Sequence, residues 1–148
     1  MSLRTQIEIN APSERVWEVL SNYPGWSAWN SFLNMDQQPA GKLEPGQALA
    51  VAFQPPGQSK PTKMKPQVLR YTDGSELAWR GRLLGTDLLF VGEHFFRLEA
   101  QGPKKTVLHH GEDFRGLLVP LVGGMLKNTE KGFLAFNEGL KKAAEEGR

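Results

Sequence analysis

The sequence predicts an α+β fold, with antiparallel strands first and one long helix last. Three observations carry the prediction. Leu3, Thr5, Ile7 and Ile9 alternate with Arg4, Gln6 and Glu8, the period-two pattern of a strand with one buried face. Between about residues 33 and 115 the alternation returns in segments separated by turn residues such as Asp73-Gly74 and Gly102-Pro103. From Leu117 onward the apolar residues recur at i, i+3 and i+4, which is helical spacing. The 148 residues are read as a single domain over 1–148, long enough to bury a core without staples.

The elements follow in order. Pro12 suits the first turn of a helix, where its missing N–H costs nothing, and Glu14 sits near the positive end of that helix. Val16, Val19, Leu20 and Tyr23 share one face, and Pro24-Gly25 stops the helix. Trp26 and Trp29, three apart, predict a second short helix, and Trp17, Trp26 and Trp29 are expected to be packing residues. A meander of four strands is predicted over 33–38, 47–54, 65–72 and 76–84. Pro55, Pro56, Pro61 and Pro66 mark a loop that starts after the second strand and is expected to be mobile over 55–63. Asp73-Gly74 signals a hairpin between the third and fourth strands. The last two strands are predicted over 88–99 and 106–115, turning around Gly102-Pro103-Lys104. The final helix is predicted over 117–146. Its apolar stripe is Leu118, Leu121, Val122, Met125, Thr129, Phe133, Phe136, Leu140 and Ala144, with Lys127, Glu130, Lys131, Glu138, Lys141, Lys142 and Glu145 opposite. Gly123, Gly124 and Gly132 weaken that helix by ~1 kcal/mol each relative to alanine. They are expected to let it bend, or to let a backbone or ligand come close.

Composition narrows the function. There is no cysteine, so disulfides and thiolate chemistry are absent. The net charge is only +2, and the lysines and arginines are scattered rather than gathered on one face between aromatics, which argues against nucleic acid. No run approaches the ~18 apolar residues of a membrane span, and charged residues interrupt the first twenty positions where a signal-peptide core would lie. A cytoplasmic protein, monomeric or weakly dimeric, is expected. Phosphate-cradling loops, dinucleotide turns, the G-x-S-x-G elbow and the H-E-x-x-H motif are all absent. No cofactor and no metal site is expected.

The strand–helix opening from Ile7 to Leu20, the strands around His94-Phe95-Phe96 and Leu108-His109-His110, and the amphipathic end together resemble the SRPBCC superfamily of START-like and Bet v 1-like proteins. Within it the chain is most similar to the polyketide cyclase/dehydrase and lipid-transport family. Members often carry an aromatic segment ending in Trp-Asn-Pro-Phe; here Trp29-Asn30-Ser31-Phe32 has serine in place of the proline. The resemblance implies a helix-grip fold: a strongly curved antiparallel sheet wrapped around the long C-terminal helix, with two short helices after strand one. It also implies an apolar cavity between sheet and helix.

Strand parity selects the residues that face that cavity. Side chains two apart share a face, which groups His94, Phe96 and Leu98, and likewise Leu108, His110, Glu112 and Phe114. Centring the hairpin near Pro103 pairs Leu98 with Leu108, Phe96 with His110 and His94 with Glu112; a slip of two pairs His94 with His110 instead. Leu77, Trp79, Gly81 and Leu83 point the same way, with Arg80 and Arg82 outside, and Gly81 opens space beside the indole. His109 has the opposite parity and is expected to face solvent. Met125, Thr129 and Phe133 roof the cavity in a helix-grip fold. The expected ligand-binding set is therefore Trp79, His94, Phe96, His110, Glu112, Phe114, Met125, Thr129 and Phe133, with no residue assigned to catalysis. Two imidazoles and a carboxylate close together can hydrogen-bond a ligand or act as acid and base. They can equally be a buried His–Glu contact that anchors the strands. The expected function is binding of a hydrophobic small molecule: a lipid, a polyketide-like aromatic or an isoprenoid. The alternatives are a cyclase or dehydratase on a polyketide-like substrate, and an Hsp90-activator-like interaction module.

Overall fold

The computed structural model describes residues 1–121 and 123–146, so Val122 of the predicted stripe lies outside the described residues. Strand β1 (Ser2–Ile9) leads through Pro12 into helix α1 (Ser13–Leu20) and a 3₁₀ turn at Tyr23–Ala28. The Pro12 carbonyl takes the first helical bonds, from the N–H groups of Arg15 and Val16. Then come β2 (Leu33–Asn34), β3 (Val51–Phe53), β4 (Thr62–Met64), β5 (Gln67–Thr72), β6 (Glu76–Leu83), β7 (Thr86–Ala100) and β8 (Thr106–Arg115). A 3₁₀ turn at Val119–Leu121 precedes the long helix α2 (Gly123–Glu145). The main sheet is antiparallel in the order β1-β8-β7-β6-β5, and a small sheet has the order β2-β3-β4. The curved main sheet grips α2, which packs on β1 and β8 and against α1.

The grip is closed by aromatic packing. Phe133, Phe136, Leu140 and Ala144 of α2 are fully buried, as are Trp26 and Phe96 opposite them. Phe136 meets Trp26 edge-to-face at 5.1 Å and Trp29 at 4.9 Å. Burying one such phenylalanine contributes ~1.5–3 kcal/mol. Gly132 lets the helix approach closely: a Cβ there would collide with the Phe32 ring. The close neighbour of this glycine is thus a core side chain. Trp26 and Trp17 satisfy their indole N–H groups on the Leu20 carbonyl and the Asp73 carboxylate at 2.9 and 3.2 Å.

Several sequence expectations shift. The strand expected over 33–38 shortens to β2, because the chain turns after it, with the Gln38 N–H donating to the Met35 carbonyl at 3.1 Å. The strand expected over 47–54 shortens to β3, with a single bridge from Ala48 to Gln67. Strand β4 lies inside the segment read as a loop, and Pro66 separates it from β5, so the meander is split between two sheets. Around it, Gln58 Nε2 donates to the Lys60 carbonyl and to Thr62 Oγ1 at 2.7 and 2.9 Å. β7 begins at Thr86 because Leu84 and Gly85 both take positive φ, 57° and 70°, and turn the chain within two residues. The helix starts later than expected: Leu117 and Leu121 are exposed, and the first turn of the stripe overhangs the core. Among the described residues no helix is long and apolar enough to cross a membrane.

Candidate functional site

A pocket of about 350 Å³ opens between the inner face of β6–β8, helix α2 and the small sheet. That volume falls in the usual ~300–1,000 Å³ range of small-molecule sites. Trp79, His94, Glu112 and Phe114 line it from the main sheet, Met125, Leu126 and Thr129 from α2, and Phe53 and Met64 from β3 and β4. Two glycines shape the hollow. Gly81 and Gly92 are register partners across β6 and β7, and both lie in the wall. A Cβ at Gly81 meets nothing within 4 Å, whereas a Cβ at Gly92 would collide with Glu112 Oε2. The expected space beside Trp79 is therefore present, and Gly92 is what seats the carboxyl group.

The hairpin register places the polar groups. His94 pairs with Glu112, Phe96 with His110 and Leu98 with Leu108, as the Pro103-centred turn predicts. Trp79 is the partner of His94 on the other side, and their rings stack at 4.8 Å. His94 Nε2 lies 2.7 Å from His110 Nε2, so the imidazoles touch although their residues are not paired. His110 Nδ1 lies 2.7 Å from Asn137 Oδ1, Asn137 Nδ2 donates to Thr5 Oγ1 at 2.9 Å, and Thr5 donates to the His110 carbonyl at 2.6 Å. At the other end His94 Nδ1 is 3.4 Å from Glu112 Oε1. The chain of contacts thus runs from the pocket wall into the core and ends on β1.

Burial sets the protonation. Desolvation lowers His94 to about 3, and burial, helped by His94, pulls His110 well below the ordinary imidazole value. Burial, with the Asp113 charge added, raises Glu112 to about 8. At neutral pH both imidazoles are neutral and Glu112 is a protonated acid. Trp79 Nε1 is buried without a hydrogen-bond partner among the described residues. An unpaired buried donor costs ~1–3 kcal/mol, and this one belongs to a side chain in the pocket wall.

Of the expected binding set, Trp79, His94, Glu112, Phe114, Met125 and Thr129 line the pocket, and Phe96, His110 and Phe133 do not. Those three are fully buried behind it, with His110 between the Phe96 and Phe133 rings at 4.5 and 4.2 Å. Parity gave their face correctly, but α2 fills that part of the face with its own phenylalanines. Leu83, expected inward, is 42% exposed at the pocket mouth. Met125 is also at the mouth and largely exposed, and the Thr129 hydroxyl is held by the Met125 carbonyl at 3.0 Å. His109 is on the outer face of the sheet, against Glu99 at 2.8 Å. Sequence reasoning missed Gly92 and Asn137. A glycine inside a strand and a lone asparagine between Phe136 and Leu140 of a buried stripe were the available signals.

Leu84, Leu88, Leu117 and Leu121 are exposed, and Leu117 and Leu118 donate to the carbonyls of Leu88 and Leu89. Lys65 and Arg82 are the basic residues of the wall, and Arg82 is paired with Asp87 at 2.5 Å. A second depression, about 390 Å³, lies on the outer face of the sheet. Arg4–Asp113 and Arg70–Glu76 pairs occupy its surface, and Arg97 adds a third basic side chain.

The sequence matches, over residues 1–145, the model of the family described as polyketide cyclase / dehydrase and lipid transport. No curated protein matches it in sequence. Among solved structures, a START superfamily protein from Mycobacterium smegmatis superposes with a TM-score of 0.70 at 18% identity, covering 98% of this chain and 97% of that one. The Zhui aromatase/cyclase from Streptomyces sp. R1128 gives 0.73 at 16% identity, covering 98% and 93%. Truncated norcoclaurine synthase from Thalictrum flavum gives 0.66 at 16% identity, covering 100% and 95%. At these identities the likeness is one of fold.

Proposed function

The chain belongs to the polyketide cyclase / dehydrase and lipid transport family, and from that premise we propose that it binds a hydrophobic small molecule in the pocket between sheet and helix. The observation that carries the reading is the apolar hollow of about 350 Å³ that Gly81 leaves open beside Trp79, Phe53, Phe114 and Met64. A lipid, a polyketide-like aromatic or an isoprenoid fits walls built from Trp79, Phe53, Phe114, Met64 and Leu126. Trp79, His94, Glu112, Phe114, Met125 and Thr129 touch the ligand in this reading, and Phe96, His110 and Phe133 support it from behind. The test is titration with N-phenyl-1-naphthylamine, a neutral probe that fluoresces in apolar surroundings. Gly81→Leu has room for its side chain only in the hollow. It is expected to fold normally and to lose probe binding by at least ten-fold. Equal binding by both proteins contradicts the reading.

A cyclase-type reaction is the second reading, supported by one observation: Glu112 is a protonated acid in the pocket wall. Positioned acids contribute ~10²–10⁴-fold to a rate. Turnover of a polyketide-like substrate that collapses in Glu112→Gln while the substrate still binds supports that reading over simple carriage.

A further inference from the structure

We propose that the end of the molecule made by the β6–β7 turn, the turn after β8 and the start of α2 docks on the surface of an anionic phospholipid bilayer, with Leu84, Leu88, Leu117 and Leu121 entering its apolar layer. The docking stands apart from the pocket, and each can fail without the other.

The two turns form one unit. Between Arg82 and Leu83 the register of β6 on β7 jumps from Val91 to Thr86. Residues 87–90 therefore leave that ladder, and the carbonyls of Leu88 and Leu89 accept instead from the N–H groups of Leu117 and Leu118 at 3.0 and 2.9 Å. Gly116 permits the contact: its φ is 120°, and a Cβ there would collide with the Leu89 carbonyl. The Leu121 N–H then donates to the Leu118 carbonyl at 3.0 Å, one turn before α2. Leu83, Leu118 and Met125, one from each of the three segments, line the same pocket.

This unit holds apolar side chains in water. Leu84 is 83% exposed and Leu121 79%, and Leu88, Leu117 and Met125 are each more than half exposed. Leu84 carries a second cost. Its φ of 57° lies in the left-handed region, where glycine or asparagine is favoured and leucine is not. A side chain that is unfavourable in the free protein on both counts points to a role outside it.

The residue types select the occupant. Aromatic and arginine side chains dominate the hot spots of protein interfaces, and leucine is under-represented there. The four most exposed apolar positions of this end are all leucine. From Gly116 to Asn128 the only charged residue is Lys127, which is exposed. Asp87, the carboxylate of the other turn, is held between Arg82 and Arg115 at 2.5 and 3.3 Å. Lys65, exposed in the pocket wall, adds a second cation, and Glu130 and Lys131 follow on α2 with opposite charges. Leucines that enter lipid, backed by cations that meet anionic headgroups, supply the two contributions to interfacial binding.

The experiment is flotation of the full chain with vesicles of phosphatidylcholine, either alone or mixed with phosphatidylglycerol. Wild type is expected to bind the mixed vesicles at least about five-fold more tightly, the effect of one cation near a charged surface. Leu84→Asn and Leu121→Gln are each expected to weaken that binding by at least about five-fold. Leu84→Asn suits the backbone at its position and keeps the fold. Leu134→Gln changes an exposed leucine further along α2 and is expected to bind as wild type does. No flotation of wild type overturns the docking and leaves the pocket reading standing. Equal binding to both kinds of vesicle overturns the choice of an anionic surface. Binding that survives both leucine changes, or that falls equally in Leu134→Gln, overturns the assignment to this end. A wild type that sediments as a dimer without floating, and as a monomer in Leu84→Asn, gives the face to a second copy and also overturns the docking.

Discussion

Replacing Glu112 with glutamine should make the protein more stable, and increasingly so as pH rises. Native Glu112 holds its proton to about 8, against an ordinary carboxyl value of 4.5. Below pH 4.5 the native and unfolded chains both carry the proton, and the protonated acid contributes its full stability. Between 4.5 and about 8 the unfolded chain has released the proton while the native one retains it, so stability falls as pH rises. At about 1.4 kcal/mol per pH unit the whole window amounts to at most ~5 kcal/mol. The Glu112 side chain keeps 16% of its surface open to the pocket, and this hydration lowers the expected change to ~2–4 kcal/mol. Glutamine does not titrate, and it keeps the size and shape of the protonated acid. His94 and His110 act in the opposite sense, their neutral native forms losing stability as pH falls below 6.5. Both proteins share that effect, and it cancels in the difference. The assay is urea unfolding followed by tryptophan fluorescence at several pH values from 4.5 to 8.5. The gap between Glu112→Gln and wild type should widen steadily across that range. A pH-independent gap, or one that narrows, refutes the assignment of a buried neutral acid.

Three further outcomes follow from packing and backbone geometry. Gly132→Ala should destabilise by ~1–3 kcal/mol despite the better helix propensity of alanine, because the new methyl group meets the Phe32 ring; chemical denaturation measures it. Asn137→Ala removes the partner of His110 Nδ1 and of Thr5 Oγ1 and should cost ~1–3 kcal/mol by the same method. Leu84→Asn should raise stability by ~0.5–1 kcal/mol, since position 84 has φ of 57° in a two-residue turn before Gly85; its thermal midpoint should rise.

The long elements were legible in the sequence because each repeats its signal many times. Eight residues of β1 alternate, and the stripe from Phe133 to Ala144 covers three helical turns, so one exception does not hide the pattern. The register of β7 on β8 was legible from the turn at Gly102-Pro103-Lys104, since pairing propagates from the turn and put His94 opposite Glu112. The small sheet was not, because strands of two or three residues are too short to show a period. Within the site, parity told which side chains point inward but not what they meet there. Phe96 and His110 meet Phe133 and Phe136 and become core, whereas Trp79 and Glu112 meet the hollow left by Gly81 and Gly92. That difference depends on where α2 crosses the sheet, which no local pattern records. The contact between His94 and His110 has a similar origin: the residues are diagonal in the register, and only the ring orientations bring their nitrogens together.

The central claim, that an apolar molecule occupies this pocket beside Trp79, is tested most directly by the indole N–H signals in a two-dimensional nitrogen–proton NMR spectrum. The chain has four tryptophans, and the Trp79 signal is identified by its absence in Trp79→Phe. Trp26 Nε1 is held by the Leu20 carbonyl at 2.9 Å and serves as the internal reference. On titration with N-phenyl-1-naphthylamine, the Trp79 N–H should shift as the aromatic probe settles against the indole in the pocket wall, while the Trp26 N–H stays in place. A Trp79 signal that does not respond at saturating N-phenyl-1-naphthylamine contradicts the account.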